Sequence, residues 1–367
     1  MRLISLDVLQ PGMIIANTIW NESGRPLIQK DVVVSQQIIN RLKQLNIKYV
    51  YIEDKISKGI EVRESIPVQK RLGAVKKITE SFKKLKGVEG KKASYILDQQ
   101  SSEIGKLVDE LLDSILNSKE MLTIITDSFL YDEYLYQHSF QVTLYSLAIA
   151  KELGYPHKEL KLIGIGAMLH DVGKLQIPTS ILFKPGRLTD EEFETMKQHT
   201  TFGFDILRNL HSISLLVAHC AFQHHERLDG SGYPRGLVEK DIHPYAKILA
   251  IADVFDAVTS DRVYRNKMLP SEGVQLIESG SGKIFDKKCV EAFKRCIVHY
   301  PNGTIVLLTD GRRGVVAKQN LNNSSLPLVR IFEENNTLVK STYMINLEEH
   351  PQVLIEKIEP DYLAAVE

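Results

Sequence analysis

Residues 162–174 read LIGIGAMLHDVGK. Leu162, Ile163, Ile165, Ala167, Met168 and Leu169 leave no polar face, the pattern of a helix buried on all sides. The run ends on His170 and Asp171. An unpaired carboxylate at the edge of such a helix costs several kcal/mol, so Asp171 needs a cation or dense hydrogen bonding. The stretch therefore predicts a helical core with a charged centre built into it.

The same tension recurs in residues 246–260, AKILAIADVFDAVTS, where Asp253 and Asp256 interrupt an apolar helix. Residues three apart share a helix face, so both point roughly one way. Either aspartate alone reads as a buried carboxylate tied to backbone or arginine. Two helices with the same anomaly weaken that reading. Histidines then accumulate: His138 in YDEYLYQHSFQV, His199 in FETMKQHTTFGFDIL, and the pair His224 and His225 opening HHERLDGSGYP. A lone histidine on an apolar face is more often a hydrogen-bonded core residue, the reading given to His219. Five histidines and two buried aspartates on separate helices or helix ends are harder to dismiss.

A His/Asp set without cysteine suits iron, manganese, cobalt, nickel or zinc, whereas calcium and magnesium want mostly oxygen. Seven donors exceed what one octahedral ion takes while leaving positions open for water and substrate. Two ions sharing a bridging carboxylate fit the count. Asp171, which directly follows His170, is the natural bridge.

In order and identity, His138, His170, Asp171 and Asp253 resemble the HD superfamily of metal-dependent phosphohydrolases. His199, the pair His224 and His225, and the run HHERLDGSGYP resemble its HD-GYP branch, which hydrolyses cyclic di-GMP. HDVGKLQIP, ILFKPGRLTDEE, KQHTTFGFDIL, ADVFDAVTSDRVYR and GSGKIFD match in the same order, over roughly residues 125–298. The resemblance implies a helical bundle with a dinuclear centre of iron or manganese. Its metal-ligand roles fall on His138, His170, Asp171, His199, His224, His225 and Asp253. Some members add a third metal through a glutamate one turn before the first histidine. That position here is Tyr134, which argues against a third metal.

Two ions ~3.5–4 Å apart activate water near neutral pH and clamp phosphodiester oxygens during in-line attack. Lys174, one turn past His170, is placed to reach a phosphate oxygen. The forked guanidinium groups of Arg262 and Arg265 suit non-bridging phosphate oxygens. Their plainer reading is surface ion pairing with Asp256 or Asp261, and the family resemblance favours phosphate contact. In the glycine-rich loop, Gly230 and Gly232 are expected to let backbone approach the ligand. Tyr233 is expected to pack on the nucleotide, and Glu226 or Asp229 to orient a ligand histidine. The function expected is hydrolysis of cyclic di-GMP to pGpG, with the further cut to GMP left open. The alternatives are a sensor that binds cyclic di-GMP without turnover and a hydrolase for another cyclic dinucleotide.

The rest of the chain frames this centre. Lys plus Arg and Asp plus Glu each total 46 in 367 residues, so no net field argues for a nucleic acid polymer or an anionic membrane as partner. Three scattered cysteines fit neither a disulfide framework nor a Cys-based zinc site, and no apolar run approaches a membrane span. The expected location is the cytoplasm. The fold class is mainly α: an HD-type helical bundle at 125–300, a small α+β module at 1–62, a helical linker at 63–124 and a small β module at 301–367. In the linker, Ile104, Leu107, Val108, Leu111, Leu112, Ile115 and Leu116 form an apolar stripe. Packing against the next domain is its first reading, homodimerisation the second. Arg312 and Arg313 read as a solvated hairpin tip.

Overall fold

The computed structural model describes residues 1–363 apart from 22–24, 46, 63–65, 89, 118–133, 261–267 and 321–322. The chain forms two compact units, one from its two ends, Met1–Glu64 and Val298–Glu367, the other from Ser65–Leu122 and Tyr131–Ile297.

In the first unit, strands β1 (Arg2–Ser5), β2 (Ile14–Ile15), β3 (Ile19–Trp20), β4 (Pro26–Ile28) and β5 (Tyr49–Glu53) accompany helix α1 (Gln36–Gln44). The sheet order is β1-β5-β2, antiparallel, with β3 and β4 paired separately. The period-2 alternation of YVYIE buries Val50 and Ile52 in the cluster that holds Ile39 and Leu42 of α1. Ser35 starts that helix by accepting the Ile38 amide on its hydroxyl. The other end of the chain contributes β6 (Ile305–Leu308), β7 (Arg313–Lys318), β8 (Leu328–Glu334), β9 (Thr337–Asn346) and β10 (Ile355–Ile358), in the order β10-β6-β7-β8-β9.

The two ends, read above as separate modules, are stitched together. Leu3 N donates to Gly303 O and Ser5 N to Pro360 O, each at 2.9 Å. Arg330 donates to the carbonyls of Ile56 and Lys58, and Ile56 and Ile60 share a core with Ile305, Val315 and Phe332. Nor is Arg313 a solvated tip. It pairs with Glu359 at 2.7 Å and with the buried Glu333, whereas Arg312 pairs with Asp310 at the turn.

The second unit is helical: α2 (Val68–Lys83), α3 (Gly90–Asn117), α4 (Tyr134–Glu152), α5 (His157–Leu169), a 3₁₀ turn (Val172–Gln176), α6 (Thr179–Leu182), α7 (Asp190–Lys197), α8 (His199–Leu207), α9 (Leu215–Gln223), α10 (Pro244–Thr259), α11 (Pro270–Ser279) and α12 (Lys287–Cys296). Local signals set several starts. Thr189 and Glu192 form a capping box on α7, Pro244 opens α10, and Asp286 accepts the Cys289 amide on α12. Helix α4 packs on α5, α10 and α12, and α5 packs on α9, which brings the polar interruptions of these apolar helices together.

The α3 stripe is buried from Ile104 to Ile115, where the helix packs on α5, α4, α8 and α2, while Leu116 at its end is exposed. The stripe is thus covered by its own unit. Among the described residues no helix is long and apolar enough to cross a membrane.

Candidate metal centre

His138 lies inside α4, His170 ends α5, and Asp171 leads into the 3₁₀ turn. His199 begins α8, His224 ends α9 with His225 following, and Asp253 lies inside α10. One packing detail fixes the two ends of this arrangement. A Cβ on Gly173 would lie 1.9 Å from His199 O and 2.5 Å from Gly203 N, so only glycine lets the turn after Asp171 rest on the first turn of α8.

The histidine rings are oriented by hydrogen bonds on their outer nitrogens. His170 Nδ1 donates to Ala167 O at 2.7 Å, His199 Nδ1 to Met196 O at 2.7 Å, and His224 Nδ1 to Ala221 O at 2.9 Å. A carbonyl only accepts, so each Nδ1 carries a proton and each ring turns its Nε2 inward, the nitrogen that is free to coordinate in the neutral tautomer. His138 Nδ1 meets a carboxylate instead, Asp256 Oδ2 at 2.7 Å. A second hydrogen bond, from Ser260 Oγ, reaches the other oxygen of Asp256.

The inward atoms converge on Asp171. Its Oδ1 lies 3.4 Å from His199 Nε2 and 3.8 Å from His224 Nε2, while Oδ2 lies 3.5 Å from His138 Nε2 and 3.4 Å from His170 Nε2. Asp253 also faces both sides, with Oδ1 3.1 Å from His138 Nε2 and Oδ2 3.6 Å from His225 Nδ1. Two groups, His138, His170, Asp171 and His199, His224, His225, each gather their donor atoms within 4.8 Å.

Burial pushes His199 down to about 4 and holds His224 and His225 well below the ordinary histidine value, so these rings are neutral at physiological pH. Burial acts upward on Asp171 and Asp253, but the Lys174 ammonium beside the first and the hydrogen bond from His138 to the second hold both carboxyls well below the usual range. Lone pairs of neutral rings therefore face carboxylates. His170 Nε2 and Asp171 Oδ1 are buried with no hydrogen-bond partner among the described residues. Such a set is stable when cations lie among the donors, and its nitrogen and oxygen chemistry fits divalent transition metals. His138 is the exception in charge. Burial lowers it, yet its hydrogen bonds to Asp253 and Asp256 raise it to about 9, so a proton can sit there where a metal would.

The structure brings together all seven residues expected as ligands and places Lys174 Nζ in ion-pair contact with Asp171 Oδ2. The loop expectations need correction. Glu226 does not orient a histidine, because its two oxygens accept the amides of Arg235 at 2.9 Å and Leu237 at 2.8 Å. Asp229 is occupied by Ser231 N and Oγ. Gly232 is needed for the loop's own packing, since a Cβ there would lie 2.4 Å from Arg227 N and 2.5 Å from His225 O. Tyr233 stacks on His225 with ring centroids 4.6 Å apart, and His219 lies apart from the cluster, its ring tilted on Phe204. Arg262, Arg265 and the side chain of Tyr134 lie outside the described residues.

The histidine-orienting role belongs to Asp256, visible in the sequence only as a second buried carboxylate one turn after Asp253. Gly173 gave no sequence signal beyond its place in HDVGK.

Residues 123–289 match the family model described as HD domain. A cyclic di-GMP phosphodiesterase of Pseudomonas aeruginosa is 30% identical over 355 residues, covering 90% of this chain and 85% of that protein. The chain belongs to the HD-GYP family. A cyclic di-GMP phosphodiesterase of Thermotoga maritima is 44% identical to this HD-GYP chain over 204 residues, 55% of this chain and 54% of the relative. A 3'3'-cGAMP-specific phosphodiesterase of Vibrio cholerae is 34% identical over 165 residues, 45% of this chain and 36% of the relative. The HD dipeptide is thus His170 and Asp171, the GYP tripeptide is Gly232, Tyr233 and Pro234, and Tyr233 covers His225 of the histidine cluster.

Proposed function

We propose that this HD-GYP chain is a metal-dependent phosphodiesterase that opens cyclic di-GMP to pGpG, with GMP as the product of a second cut. The observation that carries the reading is the double-sided environment of Asp171, whose Oδ2 faces His138 and His170 while Oδ1 faces His199 and His224. In this reading His138, His170, Asp171 and Asp253 would hold one ion, and His199, His224 and His225 with Asp171 would hold a second. Iron and manganese are the ions that the resemblance favours among the transition metals this donor set accepts. Bound there, the pair supplies Lewis acidity and a lowered pKa for water.

The chain's own groups do the rest. Lys174, partly buried beside Asp171, offers a positive charge to a phosphate oxygen, and Arg262 and Arg265 take the non-bridging oxygens. Tyr233, fixed by the hydrogen bond its backbone N–H donates to His225 O and by stacking on that ring, bounds the nucleotide beside the centre. The buried helices keep bulk water from the Asp171 side of the site. The names of the Pseudomonas and Thermotoga relatives support cyclic di-GMP as substrate. The Vibrio relative, named for 3'3'-cGAMP, supports a second reading in which another cyclic dinucleotide is the substrate.

The test is incubation of anaerobically purified, metal-loaded protein with cyclic di-GMP and, separately, 3'3'-cGAMP, with chromatography of the products. Faster conversion of cyclic di-GMP to pGpG and GMP is expected. Faster cleavage of 3'3'-cGAMP would favour the second reading, and tight binding without product would make the chain a sensor.

A further inference from the structure

Helix α7 carries an aromatic side chain whose placement the metal centre does not explain. Phe193 is 45% exposed, whereas Phe140, Phe255 and Phe293 of the same unit are fully buried. Its helix is firmly set, with the Thr189–Glu192 capping box at its start and Lys184 held to Glu192 at 2.6 Å. Phe193 is therefore held outward, with little freedom to fold back.

It is held against the site. The Phe193 ring meets the Tyr233 ring edge-on at 6.3 Å, and Tyr233 stacks on His225, whose ring lies 5.1 Å from that of His199. Four residues on from Phe193, on the same helix face, Lys197 places its ammonium 4.9 Å from the Phe193 centroid and 5.7 Å from that of Tyr233. The ion pair that Lys197 makes with Glu194 is on the surface, with the Glu194 side chain 68% exposed, and such pairs yield readily to a better anion. An aromatic and cationic wall thus runs from the histidine cluster to the surface.

We propose that Phe193 and Lys197 extend Tyr233 into a stacking wall that receives one purine base of the substrate. The proposal rests on the cyclic-dinucleotide reading above. A phosphodiester drawn to Asp171 and the histidines leaves the adjoining nucleoside at the mouth, where Phe193 and Tyr233 offer π faces and Lys197 a charge for a base carbonyl or the second phosphate. Stacking tolerates any base, so the wall holds the purine without separating guanine from adenine. That choice falls to groups elsewhere in the site.

The experiment compares wild type, Phe193→Ala and Phe193→Trp, using cyclic di-GMP and the base-free diester bis(4-nitrophenyl) phosphate. For Phe193→Ala the KM for cyclic di-GMP is expected to rise about tenfold, and the ratio of kcat/KM for cyclic di-GMP over that for the small diester to fall about tenfold. Phe193→Trp is expected to restore KM, and its added emission, measured over the Trp20 background, to be quenched by cyclic di-GMP and cyclic di-AMP alike. An unchanged KM and ratio in Phe193→Ala, or Phe193→Trp emission blind to both dinucleotides, would overturn the wall. Wild type that cleaves the small diester but not cyclic di-GMP would instead overturn the substrate reading, and the quenching measurement would still decide the wall.

Discussion

Asp256 Oδ2 lies 2.7 Å from His138 Nδ1, inside the helical unit and one turn along α10 from Asp253, which faces Nε2 of the same ring at 3.1 Å. One histidine is thus gripped at both nitrogens by carboxylates from a single helix. The outer carboxylate sets the tautomer and raises the basicity of the inward nitrogen.

Asp256→Asn keeps the shape and removes the charge. Metal affinity, measured by competition with a chromophoric chelator, is expected to fall ~10–100-fold. Unchanged affinity would mean that Asp256 only fills space.

Gly173→Ala tests the seating of the HD turn. With His199 O 1.9 Å from the new Cβ, backbone must move, at a cost of ~3 kcal/mol, at the upper end for an overpacked core. A lowered Tm of the metal-free protein and weakened metal binding are expected together. Wild-type values for both would contradict the close approach.

Glu226→Ala separates the loop from the metals. It strips the carboxylate from the amides of Arg235 and Leu237, groups that cost ~1–3 kcal/mol each when buried without a partner. Metal content is expected to persist while KM for the dinucleotide rises. Loss of metal would mean that Glu226 supports a ligand ring after all.

The metal-free protein should show an optimum of stability with pH. His199, at about 4 in the folded chain, and His224 and His225, also depressed, take up protons below about 6.5 only when unfolded. Stability rises with pH where the unfolded state binds more protons, so it falls as pH drops from about 6.5 toward 4, by up to ~1.4 kcal/mol per pH unit for each ring. His138 has the opposite sign. Its folded value of about 9 gives stability that is complete below about 6.5 and lost as pH rises through 9. Urea midpoints of EDTA-treated protein should therefore peak near pH 6.5, and a flat profile from pH 4 to 9 would contradict the charge states assigned to these rings.

His170, Asp171 and Asp253 were legible because they interrupt or end apolar helical runs, and buried polar atoms need partners wherever they occur; His138, His199, His224 and His225 joined them through the family resemblance. The helical bundle was legible from the same runs. The role of Asp256 was not, because spacing places it beside Asp253 without saying which ring lies opposite. Gly173, Glu226 and Gly232 escaped for a related reason. Their work is done against backbone distant in space or folded back on itself, and local pattern carries no record of that approach. The union of the chain's two ends rests on pairings such as Leu3 with Gly303, which lie beyond the reach of any periodicity.

The most direct measurement is metal content and cyclic di-GMP turnover on the same preparations of wild type and Asp171→Ala. If Asp171 joins both groups of donors, wild type carries roughly two metals per chain and the variant loses metal and turnover together while staying folded by circular dichroism. An active, fully metallated Asp171→Ala protein would contradict the centre as drawn.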